Sequence, residues 1–241
     1  MKLRLMICAA AASTALFAED AISATYAVMN VTNAYTDTVI AVPWVGLDGN
    51  TITISNLVNT TTLSAGDKLY MYAGDDNWYE YTKTGDIWTG AETVTPTGTH
   101  SAENQVVQRG QGLILKRASA GGNVLLCGRV GTEAITTTIA ANGLTLFANP
   151  TASEVLLNTA FTTGAEYGDK IMIPQNNGGS LTYTFNGTEW GSTNNVENGT
   201  ITFGGQTITK YKKEWVKGGS LPAGTGAWYE SKASDQHSIT W

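Results

Sequence analysis

The sequence predicts an all-β protein made of two tandem, duplicated modules, each a β-sandwich or barrel-like unit. Three observations carry that expectation. Outside an apolar run at the N-terminus, no stretch keeps a helical period for more than two turns. Short alternating runs are separated by turn signals every 8 to 12 residues or so, the spacing found in sandwiches and barrels. The chain also repeats itself: Ala65 to Gly90 reads AGDKLYMYAGDDNWYEYTKTGDIWTG and returns at Glu166 to Gly191 as EYGDKIMIPQNNGGSLTYTFNGTEWG. Gly66-Asp67-Lys68 comes back as Gly168-Asp169-Lys170, Tyr81 as Tyr183 and Trp88 as Trp190, all at one offset. Units of about 100 residues are of ordinary domain size. The expected division is a leader over 1–23, a first module over 24–132, and a second over 133–241 with an inserted hairpin at 191–219.

The first residues, MKLRLMICAAAASTALFAEDAIS, start with Lys2 and Arg4, run apolar from Leu5 to Phe17 and end among small residues. That is the pattern of a secretory signal, with cleavage expected after Ala18 or Ser23. The run is shorter than the ~20 apolar residues that span a membrane, so no span is expected once the leader is removed. Cys8 follows Leu5-Met6-Ile7 and lacks the small neighbour of a lipidated cysteine. Cleavage leaves Cys127 as the sole cysteine, which excludes an intramolecular disulfide. A cut after Ala18 leaves 12 basic against 20 acidic residues, a net charge of −8, and argues against binding nucleic acid through its phosphates. Charged residues make up 14% of the chain against a typical quarter, while Thr, Asn and Gly are plentiful, a balance common in bacterial surface and secreted β-proteins.

Ala24 to Thr38 alternates weakly and reads as an opening strand with turns. Thr38 to Pro43, TVIAVP, reads as a strand closed by proline, which is permitted where the ladder stops, and it reappears as Thr145 to Pro150, TLFANP. Leu57-Val58-Asn59-Thr60 echoes Leu156-Leu157-Asn158-Thr159, and both are expected to lead into the Gly-Asp turn. After that turn, Leu69 and Met71 match Ile171 and Ile173 and should face a core, with Tyr70 and Tyr72 on the other side. In the next strand Leu181, Tyr183 and Phe185 alternate with Thr182 and Thr184, which names the buried face. By register Tyr79 and Tyr81 are buried, and Trp78 and Glu80 point outward. Trp88 and Trp190, kept in both halves, belong to structure.

Arg109-Gly110-Gln111-Gly112-Leu113 corresponds to Ala223-Gly224-Thr225-Gly226-Ala227. This G-x-G lacks the third glycine and the following helix of a nucleotide loop, and a tight turn with positive φ is the expected reason for it. Each module closes on an alternating strand, in which Leu125 and Cys127 match Ile239 and Trp241, making Cys127 a small core residue. In the second half Ile201 and Phe203 alternate into the two-residue turn Gly204-Gly205, and Thr207-Ile208-Thr209 leads back. Lys210-Tyr211-Lys212-Lys213-Glu214-Trp215-Val216-Lys217 then gathers four lysines around two aromatics. It reads either as a solvated edge strand whose lysines discourage aggregation or as a contact for an acidic partner.

The order of these features in each half resembles a module frequent in secreted bacterial proteins. Its carriers here are Pro43, Gly66-Asp67, Tyr81, Trp88 and Gly110-Gln111-Gly112, then Pro150, Gly168-Asp169, Tyr183, Trp190 and Gly224-Thr225-Gly226-Ala227-Trp228. Asn149 and the long second-half hairpin depart from the pattern. The resemblance implies an accessory or surface β-module with no known reaction, and it transfers no catalytic residue.

The inventory for catalysis is thin. His100 stands in a polar loop and His237 beside Ser238 on the last strand, and neither forms a metal-ligand spacing. Asp75, Asp76, Glu80 and Asp86 read as an acidic turn before they read as a glycosidase pair. Asp48-Gly49-Asn50 and Asp75-Asp76-Asn77 lack the acidic ladder of a strong calcium loop. No catalytic residue, metal or cofactor is expected. Two functional readings remain. The first is a secreted or cell-surface structural or interaction protein, self-associating or meeting another surface protein through strand edges and Lys210, Tyr211, Lys212, Lys213, Trp215 and Lys217. The second is a carbohydrate-binding module that stacks sugars on Trp78, with Asp76, Asn77 and Glu80 as hydrogen-bonding neighbours and Trp44 joining from its loop.

Overall fold

The computed structural model of the chain describes residues 26–32, 37–42, 44–45, 52–57, 63–74, 77–90, 101–102, 105–119, 123–131, 133–151, 153–175 and 179–241. The expected leader lies outside the described residues, as do Asp75, Asp76, His100 and the Asp48-Gly49-Asn50 turn. The chain is all-β and antiparallel. The first half holds β1 (Tyr26–Thr32), β2 (Asp37–Ala41), β3 (Trp44–Val45), β4 (Ile52–Thr53), β5 (Lys68–Gly74), β6 (Asn77–Thr84), β7 (Ile87–Gly90), β8 (Val106–Val107), β9 (Gly112–Lys116) and β10 (Asn123–Val130). The second holds β11 (Thr136–Ile139), β12 (Leu144–Ala148), β13 (Val155–Leu156), β14 (Lys170–Pro174), β15 (Ser180–Phe185), β16 (Trp190–Phe203), β17 (Gln206–Lys217), β18 (Ser220–Leu221), β19 (Gly226–Glu230) and β20 (His237–Thr240).

Each half is built on one larger sheet, ordered β2-β9-β5-β6-β7 in the first and β12-β19-β14-β15-β16-β17 in the second. Counted along the chain, the strands take the same places in both until β17 adds a sixth. Short pairs accompany each sheet: β4 with β8 and β13 with β18, while β10 pairs with β1 and β3, and β20 with β11. The alternation assigns the faces as expected. Leu69 and Met71 are buried opposite Tyr81, which is buried, and Tyr79, which was expected buried but is only partly so, and Tyr70 and Tyr72 stand on the outer face opposite Glu80 and Trp78. Ile171 and Phe185 repeat this inner placement, but the burial runs out along β15, where Tyr183 is half-buried and Leu181 is exposed.

The cores lie between the inner sheet faces and the short pairs. In the first half Ile40, Leu69, Tyr81, Trp88 and Leu113 meet Ile52, Ile54 and Val107. In the second half Phe147, Ile171, Trp190 and Tyr229 meet Leu157, Leu221 and Ile239. Burying each such side chain contributes about 1.5–3 kcal/mol relative to leaving it in water.

Single helical turns, Ile54–Leu57 and Leu157–Ala160, follow β4 and β13. They revise the sequence alignment of this region. The structure makes Ile54 the counterpart of Leu157, because Ile54 N–H donates to Gln105 O and Leu157 N–H to Gly219 O, both at 3.0 Å, the acceptors standing just before β8 and β18. The letter match of Leu57 to Thr60 with Leu156 to Thr159 is therefore out of register, and Val58 to Thr60 lie outside the described residues. The final strand is also shorter than expected. It ends at Thr240, and Trp241 follows it as a partly buried ring against Phe161, 5.1 Å between centroids. Cys127 pairs with Val28 through its backbone in β10, and its side chain lies outside the described residues.

The G-x-G segments have a role beyond a turn. Gly110 and Gly224 do take positive φ, 81° and 68°. Their carbonyls also join the halves: Ala41 N–H donates to Gly224 O at 3.0 Å, and Ala148 N–H donates to Gly110 O at 2.9 Å. Ile40 bridges Thr225, and Phe147 bridges Gln111. Each contact is the mirror of the other, because Ala41 and Ala148 end the first strand of their sheets and Gly110 and Gly224 precede the strand beside it. The second glycines sit at the crossing. A Cβ on Gly112 would lie 2.7 Å from Leu146 Cγ, and one on Gly226 would overlap Val39. Arg109 fastens the junction further, its guanidinium donating to the carbonyls of Gly131 and Glu133, both at 3.2 Å.

Candidate functional site

Two regions carry the residues that the sequence singles out: the outer face where the sheets meet, and the hairpin of β16 and β17. On the outer face Trp78 is half-buried and set edgewise between two aromatic rings, Tyr72 at 5.2 Å and Trp228 of the second half at 6.0 Å between centroids. Such edge-to-face pairs contribute about 0.5–1.5 kcal/mol beyond the area they bury. Register placed Trp78 on the correct face, but its neighbour there is the other half of the molecule. Trp228, which the sequence marked only as part of the Gly-x-Gly aromatic strand, lies between the buried Ala227 and Tyr229, on the opposite face of β19. Nothing local reveals that the outer faces of two sheets meet.

The other members of the expected sugar platform are dispersed. Glu80 is engaged by Lys68 at 2.6 Å. Burial acts to raise its carboxyl pKa, but the hydrogen bonds from Lys68 and Tyr70 outweigh it and hold Glu80 below the ordinary carboxylate range. The same bond to Glu80 lifts Lys68 above its usual value against a smaller desolvation. Asn77 opens β6 opposite Gly74, beyond a bulge, and Asp76 lies outside the described residues. Trp44, expected in a loop, instead pairs through its backbone with Val130 in the sheet of β1, β10 and β3, separate from that of Trp78.

The hairpin of β16 and β17 occupies almost all of the expected segment 191–219. β16 and β17 pair from Gly191 and Lys217 to Phe203 and Gln206, with a bulge between Glu197 and Thr200. The closing Gly204 and Gly205 both have positive φ, 58° and 81°, the geometry that matches strand twist in a two-residue turn. From Ser192 onward both strands are exposed on both faces, apart from scattered half-buried positions. This is a two-stranded ribbon standing out from the sheet, roughly 40 Å long at ~3.3 Å per residue.

Alternation divides the expected contact residues between the two faces of the ribbon. Tyr211, Lys213, Trp215 and Lys217 share one, and Lys210 and Lys212 share the other with Ile208 and Val216. Lys212 pairs with Glu214 at 2.5 Å. At the base Trp215 lies over Gly191, where a Cβ would come 2.7 Å from the indole ring, and its Nε1–H donates to Glu189 Oε1 at 3.2 Å. Lys217 meets the other oxygen of Glu189 at 2.6 Å. The bond from Lys217 first, and that from Trp215 second, carry the Glu189 pKa below the ordinary carboxylate range. This brace fixes the base of the ribbon while its tip bares Phe203, 81% exposed, with Ile201 across from Ile208.

Among the described residues no cluster of three His, Cys, Asp or Glu side chains is arranged to hold a metal ion, and no helix is long and apolar enough to cross a membrane. His237 stands 5.5 Å from the ring of Tyr229 between centroids. Compared with family models, curated proteins and solved structures, the chain matches none.

Proposed function

We propose that this chain is a secreted or cell-surface structural or interaction protein that works by contact and without catalysis, its halves two copies of one β-module and its projecting ribbon the element that makes the contact. The observation that carries this reading is the ribbon itself, two long strands bare on both faces, with β17 as the outer edge of a six-stranded sheet. An isolated two-stranded hairpin is marginally stable in water, and an open edge is a template for another strand. A chain that maintains such an arm, braces its base and tips it with Phe203 gains from it only when something docks there. Sedimentation velocity on the full chain over a concentration series is the test. Growth of the sedimentation coefficient with concentration, abolished by replacing Ser192–Val216 with a Gly-Asn turn, is the expected result; a monomer at every concentration and salt would sink the self-associating form.

The carbohydrate reading keeps one observation in its favour, the half-exposed outer-face group of Tyr72, Trp78 and Trp228. Retention on polysaccharide that Trp78→Ala abolishes at unchanged melting temperature would support it. Because Trp78 contacts the second half, a lowered melting temperature instead would mark the ring as packing.

A further inference from the structure

We propose that the partner of the ribbon is a second molecule of this chain, and that the outer edge of β17 adds to the outer edge of β7 in that molecule, so that molecules join head to tail. This rests on the reading of the ribbon as a contact element and names what it contacts. Among the described residues, the sheet orders place β17 at the outer edge of the second half and β7 at the outer edge of the first, both away from the junction.

The two edges differ in charge. The ribbon carries Lys210, Lys212, Lys213 and Lys217 against Glu197 and Glu214, while the rest of residues 24–241 hold eight basic and sixteen acidic side chains. A β17 edge laid against another β17 would set lysines against lysines, which opposes pairing. The β7 edge offers the opposite surface: Asp86 is exposed at the turn that begins it, and Ile87 beside it is 65% exposed. Addition there would satisfy backbone groups by strand augmentation, bring lysines to Asp86, and cover Ile87 with the apolar positions of β17. Because the two edges are different surfaces, the contact is heterologous and leaves one of each open at the ends, so growth continues.

Two full-length variants test this. Lys210→Glu/Lys212→Glu/Lys213→Glu disables the ribbon, and Asp86→Lys/Ile87→Lys disables the edge. In sedimentation velocity the unaltered chain is expected to grow with concentration, less so at high salt, and each variant alone to remain a monomer. An equimolar mixture of the two should give a 1:1 dimer that grows no further, since one molecule keeps a working ribbon and the other a working edge. Assembly by the edge variant, with the ribbon variant monomeric, would overturn the β7 partner and leave the ribbon reading standing. Unchanged assembly by both variants would overturn both, whereas a monomeric unaltered chain would overturn the second-molecule partner and leave the ribbon to contact a different protein. Melting curves establish that the variants are folded, and the milder Lys213→Glu should raise the concentration of half-assembly about tenfold.

Discussion

Asp67 and Asp169 occupy the same turn of their halves and are both fully buried, yet their charges are met differently. Two bonds are common. Asp67 accepts from the backbone N–H groups of Ser64 at 2.8 Å and Ala118 at 2.7 Å, and Asp169 from those of Glu166 at 3.0 Å and Lys232 at 2.6 Å. The third partner differs. In the first half it is the buried guanidinium of Arg117, at 2.8 Å. In the second half Ser231 follows the strand instead, and Tyr229 O–H supplies the bond at 2.7 Å from within the core. Burial first, and the bond to Asp169 second, push the Tyr229 pKa well above its usual value, so the hydroxyl stays a donor. The comparison separates what the fold requires, a carboxylate clamping the turn to the end of β9 or β19, from what it leaves open, whether the compensating group is charged.

Deleting the third partner should expose that difference. Arg117→Met leaves a buried carboxylate with backbone donors only and is expected to cost about 3–5 kcal/mol, whereas Tyr229→Phe should cost about 1.5–3 kcal/mol, the worth of one bond to a charge. Equal losses in urea denaturation would mean that the ion pair is not what distinguishes the halves. A second contrast lies one residue beyond β2 and β12, where the first half buries Val42 and the second Asn149. Asn149 Nδ2 donates to Ser153 O at 2.8 Å and Leu221 O at 2.9 Å, and its Oδ1 accepts from Thr151 N–H at 2.9 Å. Asn149→Val, which copies the first half, should therefore lower stability by about 2–3 kcal/mol through orphaned groups; a neutral result would show that water replaces them.

Gly112→Ala and Gly226→Ala probe the junction, with about 1–3 kcal/mol expected from overpacking. Gly226→Ala should be the worse, because branched Val39 has less room to yield than Leu146. A reversed order in thermal melts would place the strain elsewhere. The smallest effect belongs to the outer-face ion pairs. Glu80 with Lys68, and Glu230 with Lys170 at 2.9 Å, have carboxyl pKa values below the ordinary 4.5, set for Glu230 by the bonds from Lys232 and Lys170. Their stabilisation, under about 1 kcal/mol each, is present above 4.5 and lost as pH falls through the lowered values. Carboxyl titration by NMR should find both midpoints below 4.5, and a midpoint above it would dissolve that pair.

What the sequence disclosed and what it hid follow one physical line. Phe185 took the inner face that local strand alternation named, with Tyr183 only partly buried and Leu181 exposed, and Gly204-Gly205 named its turn because both residues take positive φ. The Gly-Asp repeat showed a turn but not a clamp, since beyond the local donors Ser64 and Glu166 the bonds come from Ala118, Arg117, Lys232 and Tyr229, in or just after β9 and β19. The second glycine of each G-x-G answers to a side chain in the opposite half. Trp78 was placed on the correct face, but its neighbour Trp228 depends on how two sheets cross. The echo at Leu57 to Thr60 misled because matching apolar letters carry no register, which is fixed by the bonds of Ile54 to Gln105 and of Leu157 to Gly219.

The reciprocal bonds of Ala41 to Gly224 and of Ala148 to Gly110 also bear on the order of synthesis. Ala41 is made well before its acceptor Gly224. Until Gly224 arrives, the first half waits with a bare N–H at the end of β2 and with Val39 uncovered, close to done but unsealed.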